Sequence, residues 1–394
     1  MTDIEFDPFA YETHEDPYPI YSALRDRAPA YWNPRRKFWA LSRHADVLAA
    51  FKDPRRFSNA DGVAIETSTQ SDPSAVSSFL AMDPPRHDRL RGLVSRAFTP
   101  RRVDELEPQV RRIADRHLRE LLSRGHCDFI EEFAAKMPMD VVSEMLGVPE
   151  SDRDSLRTWS DTVLHREDGA DSVPPAGIEA AGHMLAYFGT LVADRRRRPH
   201  TDLTSGLTQA ELDGDRLEDR EIIAFLFLMI IAGNETTTKL LGNALYWLWR
   251  TPEQRARVRA SRDLVPAWVE ETLRYDNSTQ ALARTLTTDV ELHGQTMRAG
   301  DRALLLIGSA NRDERVFPAP ERFEIGRDQT ESLSFGKGTH FCLGASLARL
   351  EGRVALEAVY DHMGDYELDP ARLVRVHSPN VRGFASMPIS FTPS

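Results

Sequence analysis

FGKGTHFCLGASLARLEGRVAL, residues 335–356, is the stretch on which the reading of this chain turns. Leu347, Leu350, Val354 and Leu356 recur at helical spacing, so a helix starts near Ala345. Cys342 then stands just before a helix N-terminus. Free backbone N–H groups and the positive end of the helix dipole favour a thiolate there. Gly336, Gly338 and Gly344 permit backbone conformations and close approaches that a side chain would block. A thiolate on a glycine-rich loop, with few other ligands nearby in sequence, suits a single axial bond to haem iron. Two other readings stand beside it. A buried structural cysteine is the commonest fate of a lone Cys, and a reactive nucleophile is the third. The three glycines and His340 favour ligation, because a structural cysteine requires none of them.

The rest of the chain sets bounds. Its 394 residues by length alone suggest two or three domains. There is no repeat, low-complexity tract or interdomain linker, so one domain over 1–394 is expected. With 41% hydrophobic and 28% charged residues, the composition is that of a soluble globular protein. A net charge of −11 speaks against a nucleic-acid partner. Cys127 and Cys342 are the only cysteines, which excludes a disulfide framework. MTDIEFDPFAYETHEDPYPIY at the N-terminus lacks the basic and apolar regions of a secretory signal. The longest apolar run, Ile222–Gly233, is too short to span a bilayer and reads as a buried core helix. A cytoplasmic protein with no membrane insertion is expected.

Helical periods dominate. Arg102–Leu122 places Leu106, Val110, Ile113 and Leu118 on one face, and Asp219–Trp249 reads as one long helix. "TPEQ" predicts a capping box, with Thr251 as N-cap, Pro252 at N1 and Gln254 at N3. Strand patterns are short: Lys37–Leu41, Val290–Leu292, Arg302–Ile307 and Ser386–Thr392. Val63–Ser78 and Glu167–Gly177 read as loops.

Phe335, Gly336, Gly338, His340, Cys342 and Gly344 match, position for position, the haem-binding signature of the cytochrome P450 family, and the chain resembles the soluble bacterial members. Three further segments agree in order and spacing. In "AGNETT" (232–237), a Glu and a Thr inside an apolar helix are costly unless they serve something. Read structurally, Thr236 back-bonds to the carbonyl of Ala232 and Glu235 finds a partner. The resemblance implies an oxygen-binding groove over the haem, lined by Ala232, with Thr236 and Glu235 as the alcohol and acid of proton delivery and Gly233 permitting a local distortion. In "EETLR", Glu271 and Arg274 share a helix face. The resemblance adds Arg322 of "PERF" to form a buried folding network. In "MDPPRHDRLR", Asp83 and Pro84 read as N-cap and N1, with His87 and Arg91 four apart on one face. The resemblance makes His87, Arg91, Arg284 and His340 the contacts of the haem propionates, a task suited to arginine's fork of donors.

The expected fold class is therefore mainly α, the family's α-rich prism with a small β region. The implied activity is a haem-thiolate monooxygenase, with haem b (iron protoporphyrin IX) on Cys342. It would insert one atom of O2 into a small, largely hydrophobic and uncharged substrate. Electrons would come from a ferredoxin or flavodoxin and its NAD(P)H-dependent reductase. Leu228, Ile231 and Ala232 would line the substrate pocket, Gln280 would orient the substrate, and the two loops would close over it. A peroxide-driven enzyme fits less well, because members of that type usually lack the acid–alcohol pair. A gas sensor or electron carrier is disfavoured by the oxygen-groove motif. Arg86, Arg89, Arg91, Arg96, Arg101, Arg102, Arg111, Arg112, Lys337 and Arg349 form either a docking patch for an acidic electron donor or a set neutralised by nearby acids.

Overall fold

The computed structural model describes residues 4–392 except 66–72, 96–97, 166, 168–169, 171 and 213. The helices that position the site are α1 (His44–Lys52), α2 (Arg86–Ser95), α3 (Glu107–Leu122), α4 (Lys136–Leu146), α5 (Glu150–Leu164), α6 (Pro175–Arg197), α7 (Asp219–Arg250), α8 (Val265–Tyr275) and α9 (Ala345–His362). The apolar run at 222–233 lies in α7, the organising helix. Its start is fixed by a capping box in which Glu218 and Glu221 reciprocally satisfy backbone N–H groups. Phe225, Leu226, Ile230, Leu241, Ala244 and Leu245 are buried along it. By length and composition α7 is apolar enough to cross a membrane, yet 61% of its most apolar stretch is buried by the fold, as expected of a core helix.

Around α7 pack α4, α5, α6, α8 and α9, and α3 lies against α9. Gly352 marks the closest crossing. A Cβ there would meet Leu240 of α7 at 3.2 Å and Val269 of α8 at 3.3 Å, so glycine lets three helices share one contact.

The β region stands to one side. Its main sheet joins β1 (Ala30–Asn33), β2 (Phe38–Leu41), β3 (Phe57–Ser58), β4 (Ala281–Leu286) and β5 (Arg302–Leu306) in the order β1-β2-β5-β4-β3. β5 runs parallel to β2, with Leu304 opposite Ala40, and antiparallel to β4, with Leu304 opposite Ala283. The mainly α class with a minor β region is as the sequence predicts.

Several local expectations change. Arg102–Leu122 is two helices, Pro100–Asp104 and α3, and Pro108 occupies the first turn of α3 where its missing N–H is not needed. The "TPEQ" capping box does not form. The Thr251 hydroxyl turns back to the Trp247 carbonyl at 2.6 Å, and the Gln254 side chain accepts from Ile325 N instead. Asp83 is not a helix cap either. Its carboxylate takes the Ser58 hydroxyl and the Asn59 N–H, tying β3 to the segment before α2. In the Glu271–Arg274 network, Arg322 contributes only its backbone carbonyl. The side chain that approaches Glu271 is Arg327, at 3.6 Å.

Candidate active site

The loop before α9 is built as its glycines suggest, with one exception. Gly336 and Gly338 have φ of +68° and +71°. A Cβ on Gly338 would sit 2.6 Å from the Phe51 carbonyl oxygen of α1, so this position tolerates only glycine. Gly344 has neither a positive φ nor an atom within 4 Å of its would-be Cβ, so its reason lies outside the backbone. The Cys342 N–H donates to the Phe335 carbonyl at 2.9 Å and closes the loop. Burial raises the Cys342 thiol, while the Gly344 N–H and the charges of Arg91 and Arg349 act in the opposite direction. Cys127 is the structural cysteine. It lies in a strand opposite Ile389, and burial pushes its thiol up to about 12.

Beside Cys342 the structure assembles all four residues assigned to the propionates. The rings of His87 and His340 lie 4.3 Å apart. His87 Nε2 is buried without a partner, and the buried His340 ring has only a weak approach to the Met82 backbone. Burial first, then the positive charges of His87, Arg284 and Arg91, hold the His340 imidazole down near 3. Arg284 is 2% exposed and donates only to the Ala283 carbonyl at 2.7 Å. Burial lowers its guanidinium to about 10. Arg91 reaches the Phe341 carbonyl of the cysteine loop at 2.5 Å. The one carboxylate that touches this cluster is Asp88, on His87 Nδ1 at 2.8 Å, which leaves Arg284, His340 and His87 Nε2 as buried donors that call for a further anionic partner. The donor set therefore fits the two carboxylates of a haem, with Cys342 as the thiolate.

On α7, Leu228, Ile231, Ala232 and Thr236 share one accessible face, with Met229 and Gly233 also partly accessible, while Phe227, Ile230, Asn234, Glu235 and Thr237 are buried. Ala232 is exposed in the middle of a 32-residue core helix, so the described residues leave this part of the helix uncovered. The Thr236 hydroxyl donates to the Ala232 carbonyl at 2.7 Å, the back-bond read from sequence. The helix continues unbroken through Gly233, whose nearest would-be neighbour is Val142 at 3.7 Å, so the expected distortion is absent.

Sequence reasoning missed three partners. Glu235 is paired with Lys239 at 2.9 Å, both nearly buried. The signal was present as an i,i+4 Glu–Lys spacing, but that spacing usually marks a solvated face. Glu351 of α9 is buried with one carboxyl oxygen unpartnered, and burial raises it well above the carboxylate range despite the neighbouring Thr237 hydroxyl. Asp161 of α5 is electrostatically coupled to both Glu235 and Lys239. Gln280 has a different task from the one expected. It donates to the Asn277 carbonyl at 2.7 Å, packs on Gly308 and borders a small cavity with Phe6, His14 and Tyr21. Residues 66–72 of the first expected lid, and 168–169 and 171 of the second, lie outside the described residues, as does Arg96.

Comparison with known proteins agrees with this geometry. The cytochrome P450 family profile matches residues 183–380. Cytochrome P450 123 of Mycobacterium tuberculosis is 55% identical over 390 residues, covering 98% of this chain and 97% of the relative. Vitamin D(3) 25-hydroxylase of Pseudonocardia autotrophica is 38% identical, covering 99% and 97%. The crystal structure of CYP109E1 from Bacillus megaterium in complex with testosterone superposes with a TM-score of 0.90 at 32% identity, covering 96% of this chain and 98% of that one. The chain belongs to the cytochrome P450 family. It is a haem-thiolate monooxygenase that works with O2 and a redox partner.

Proposed function

We propose that residues 1–394 form a single catalytic domain that hydroxylates or otherwise oxygenates a largely hydrophobic substrate of natural-product, steroid or fatty-acyl size. The observation that carries this reading is the accessible face of α7, where Leu228, Ile231 and Ala232 lead to Thr236. Pockets of this kind are mostly apolar, with few orienting polar groups. Related proteins point the same way, one named for vitamin D(3) hydroxylation and one crystallised with testosterone.

Haem b, held through Cys342 and by His87, Arg91, Arg284 and His340, supplies the activation of O2, with the thiolate favouring O–O cleavage. The chain's own residues do the rest. Arg91 and Arg284 neutralise the propionates, and the two histidines complete the cradle as hydrogen-bond partners. Thr236 holds its proton on Oγ1, directed at the Ala232 carbonyl, and releases that bond to hand the proton into the groove. Glu235 resupplies it, with Lys239 holding its carboxylate in place at 2.9 Å between turnovers. The electron donor is a ferredoxin or flavodoxin with an NAD(P)H-dependent reductase, in the cytoplasm.

The test is NAD(P)H-driven, substrate-dependent product formation, preceded by a compound-library screen for the haem absorption shift. Hydrophobic compounds should produce the shift. A screen in which only small, highly charged compounds do so would overturn the pocket assignment.

A further inference from the structure

An open pocket of about 730 Å³ lies between the C-terminal ends of α7 and α8, the helix Tyr18–Arg27 and the paired strands Val374–Arg375 and Phe384–Ser386. None of the residues assigned to the haem or to proton delivery lines it. Tyr246, on its α7 side, follows Thr236 by ten residues, about 15 Å along the helix axis.

Three of its arginines are buried or nearly so. Arg382 is fully engaged. Its Nε donates to Asp276 at 2.8 Å, and its two Nη atoms donate to the carbonyls of His14 and Glu15. Arg312 is sandwiched between the rings of Tyr18 and Tyr275, at 3.4 and 3.6 Å. It donates from Nε to the Tyr275 carbonyl and from Nη1 to Glu321, each at 2.8 Å, but its Nη2 is buried without a partner. Arg375 lies over Phe384 at 4.0 Å and Tyr246 at 5.2 Å. Among the described residues its side chain makes no hydrogen bond, and its one ion pair, from Nη1 to Asp276, is 3.8 Å long.

Ring faces attract a guanidinium from above and below, but its N–H groups lie in its plane and still require acceptors. Asp276 has no more to give. It is buried and already accepts from the Tyr18 hydroxyl, the Arg382 guanidinium and the Trp247 indole. Three guanidinium groups thus share one buried carboxylate. Burial and then the Arg382 charge lower the Arg375 guanidinium, with Asp276 acting in the opposite direction. The pocket's other carboxylates, Glu15, Asp16 and Glu321, are exposed. Arg250, also exposed, has no carboxylate partner among the described residues.

We infer that this pocket is a second ligand site, remote from the haem, for an aromatic carboxylate. The carboxylate accepts from the spare donors of Arg312 and Arg375, and the flat ring lodges beside Tyr18, Tyr246 and Trp247. A planar anion matches the planar guanidinium fork. A single charge suits the site, because the exposed Glu15, Asp16 and Glu321 repel a dianion. The volume lies within the roughly 300–1,000 Å³ of small-molecule sites. The inference is independent of the substrate proposed for the α7 face.

The experiment is calorimetric titration of the haem-loaded protein with 2-naphthoate and with 2-naphthamide, its uncharged isostere. Saturating 4-phenylimidazole is present throughout to occupy the haem iron. Naphthoate should bind about tenfold or more tightly than the amide. Arg375→Met should remove that preference and leave the amide's affinity unchanged, and Arg375→Lys should keep part of it. Equal affinity of the two probes for the wild-type protein, or no binding of either, overturns the proposal and needs no variant. A preference that survives Arg375→Met overturns it too, as does equal loss of both probes, which marks a structural role. Naphthoate binding seen only without phenylimidazole would assign the anion to the haem pocket and likewise overturn the second site.

Discussion

Arg284 shows how much of this site is set against stability at the level of single residues. Its guanidinium is buried, shifted down to about 10 and served by one backbone carbonyl. The Asp83 charge and the Phe51 ring at 5.5 Å offset that desolvation only in part, so the residue is kept for the group it holds. Arg284→Met should therefore slightly raise the melting temperature of the haem-free protein and speed haem loss to an acceptor protein. A donor to a charged acceptor is worth about 1.5–3 kcal/mol. Haem loss at the wild-type rate would remove Arg284 from the cradle. Cys342→Ser should lose the long-wavelength band of the reduced carbon monoxide complex, and Cys127→Ser should keep it. Asp161 gives a pH prediction of the opposite kind from a salt-bridged acid. Its folded value, about 6, lies above the ordinary 3.8, so the folded state binds more protons between those values. Stability contributed by the protonated form is lost as pH rises from about 4 to 6. Asp161→Asn should flatten the melting profile across that window, and an unchanged slope would show that Asp161 titrates alike in the folded and unfolded chain.

At the level of elements, α7 is where sequence and structure agree most and also where sequence reading stopped short. Its length follows from a 3.6-residue period, a local property, whereas its face at Leu228, Ile231, Ala232 and Thr236 is implied by the family resemblance. The burial of Lys239 follows from neither. "ETTTK" resembles a surface ion pair, and only the packing of the fold makes it a buried one. Lys239→Met should cost about 3–5 kcal/mol by denaturant unfolding, because it strands the Glu235 carboxylate. The double variant with Glu235→Gln should recover most of that loss, and two additive losses would show that the pair is not coupled. The same limit explains the strands. Ala281–Leu286 lacks clean alternation, and its strand state is set by partners at Phe57–Ser58 and Arg302–Leu306, far away in sequence. Thr251 and Gln254 mislead for a related reason, since each has a competing partner that the local pattern does not show. Arg327, not Arg322, is the side chain beside Glu271, so Arg327→Ala should destabilise α8 and its surroundings more than Arg322→Ala. The reverse order would restore the expectation read from "PERF".

For the molecule as a whole, the open matter is how an acidic protein of net charge −11 receives an electron. The arginines near the cysteine loop suggest a positive docking face, but most of them are occupied. Arg89 is held by Asp215 and Glu221, Arg111 by Glu107 and Glu357, Arg112 by Glu144, and Arg349 by Glu270. Arg101 reaches Glu105 at 3.3 Å, and both are well exposed, so that pair is worth little. Among the described residues Arg86 and Arg102 keep no carboxylate partner, and Lys337 meets only the Thr330 carbonyl at 3.4 Å. Two or three free cations make a weak field against the overall negative charge. Electrostatic steering accelerates association by roughly 10–10³-fold and is lost with salt. The neutralised surface should show far less. The rate of first-electron transfer from a ferredoxin should fall only slightly as screening tightens to about 8 Å at physiological ionic strength. Arg101→Glu should leave that rate nearly unchanged, while Arg86→Glu with Arg102→Glu should slow it measurably. A steep salt dependence that survives Arg86→Glu with Arg102→Glu would mean that the paired arginines exchange their internal carboxylates for those of the donor on docking.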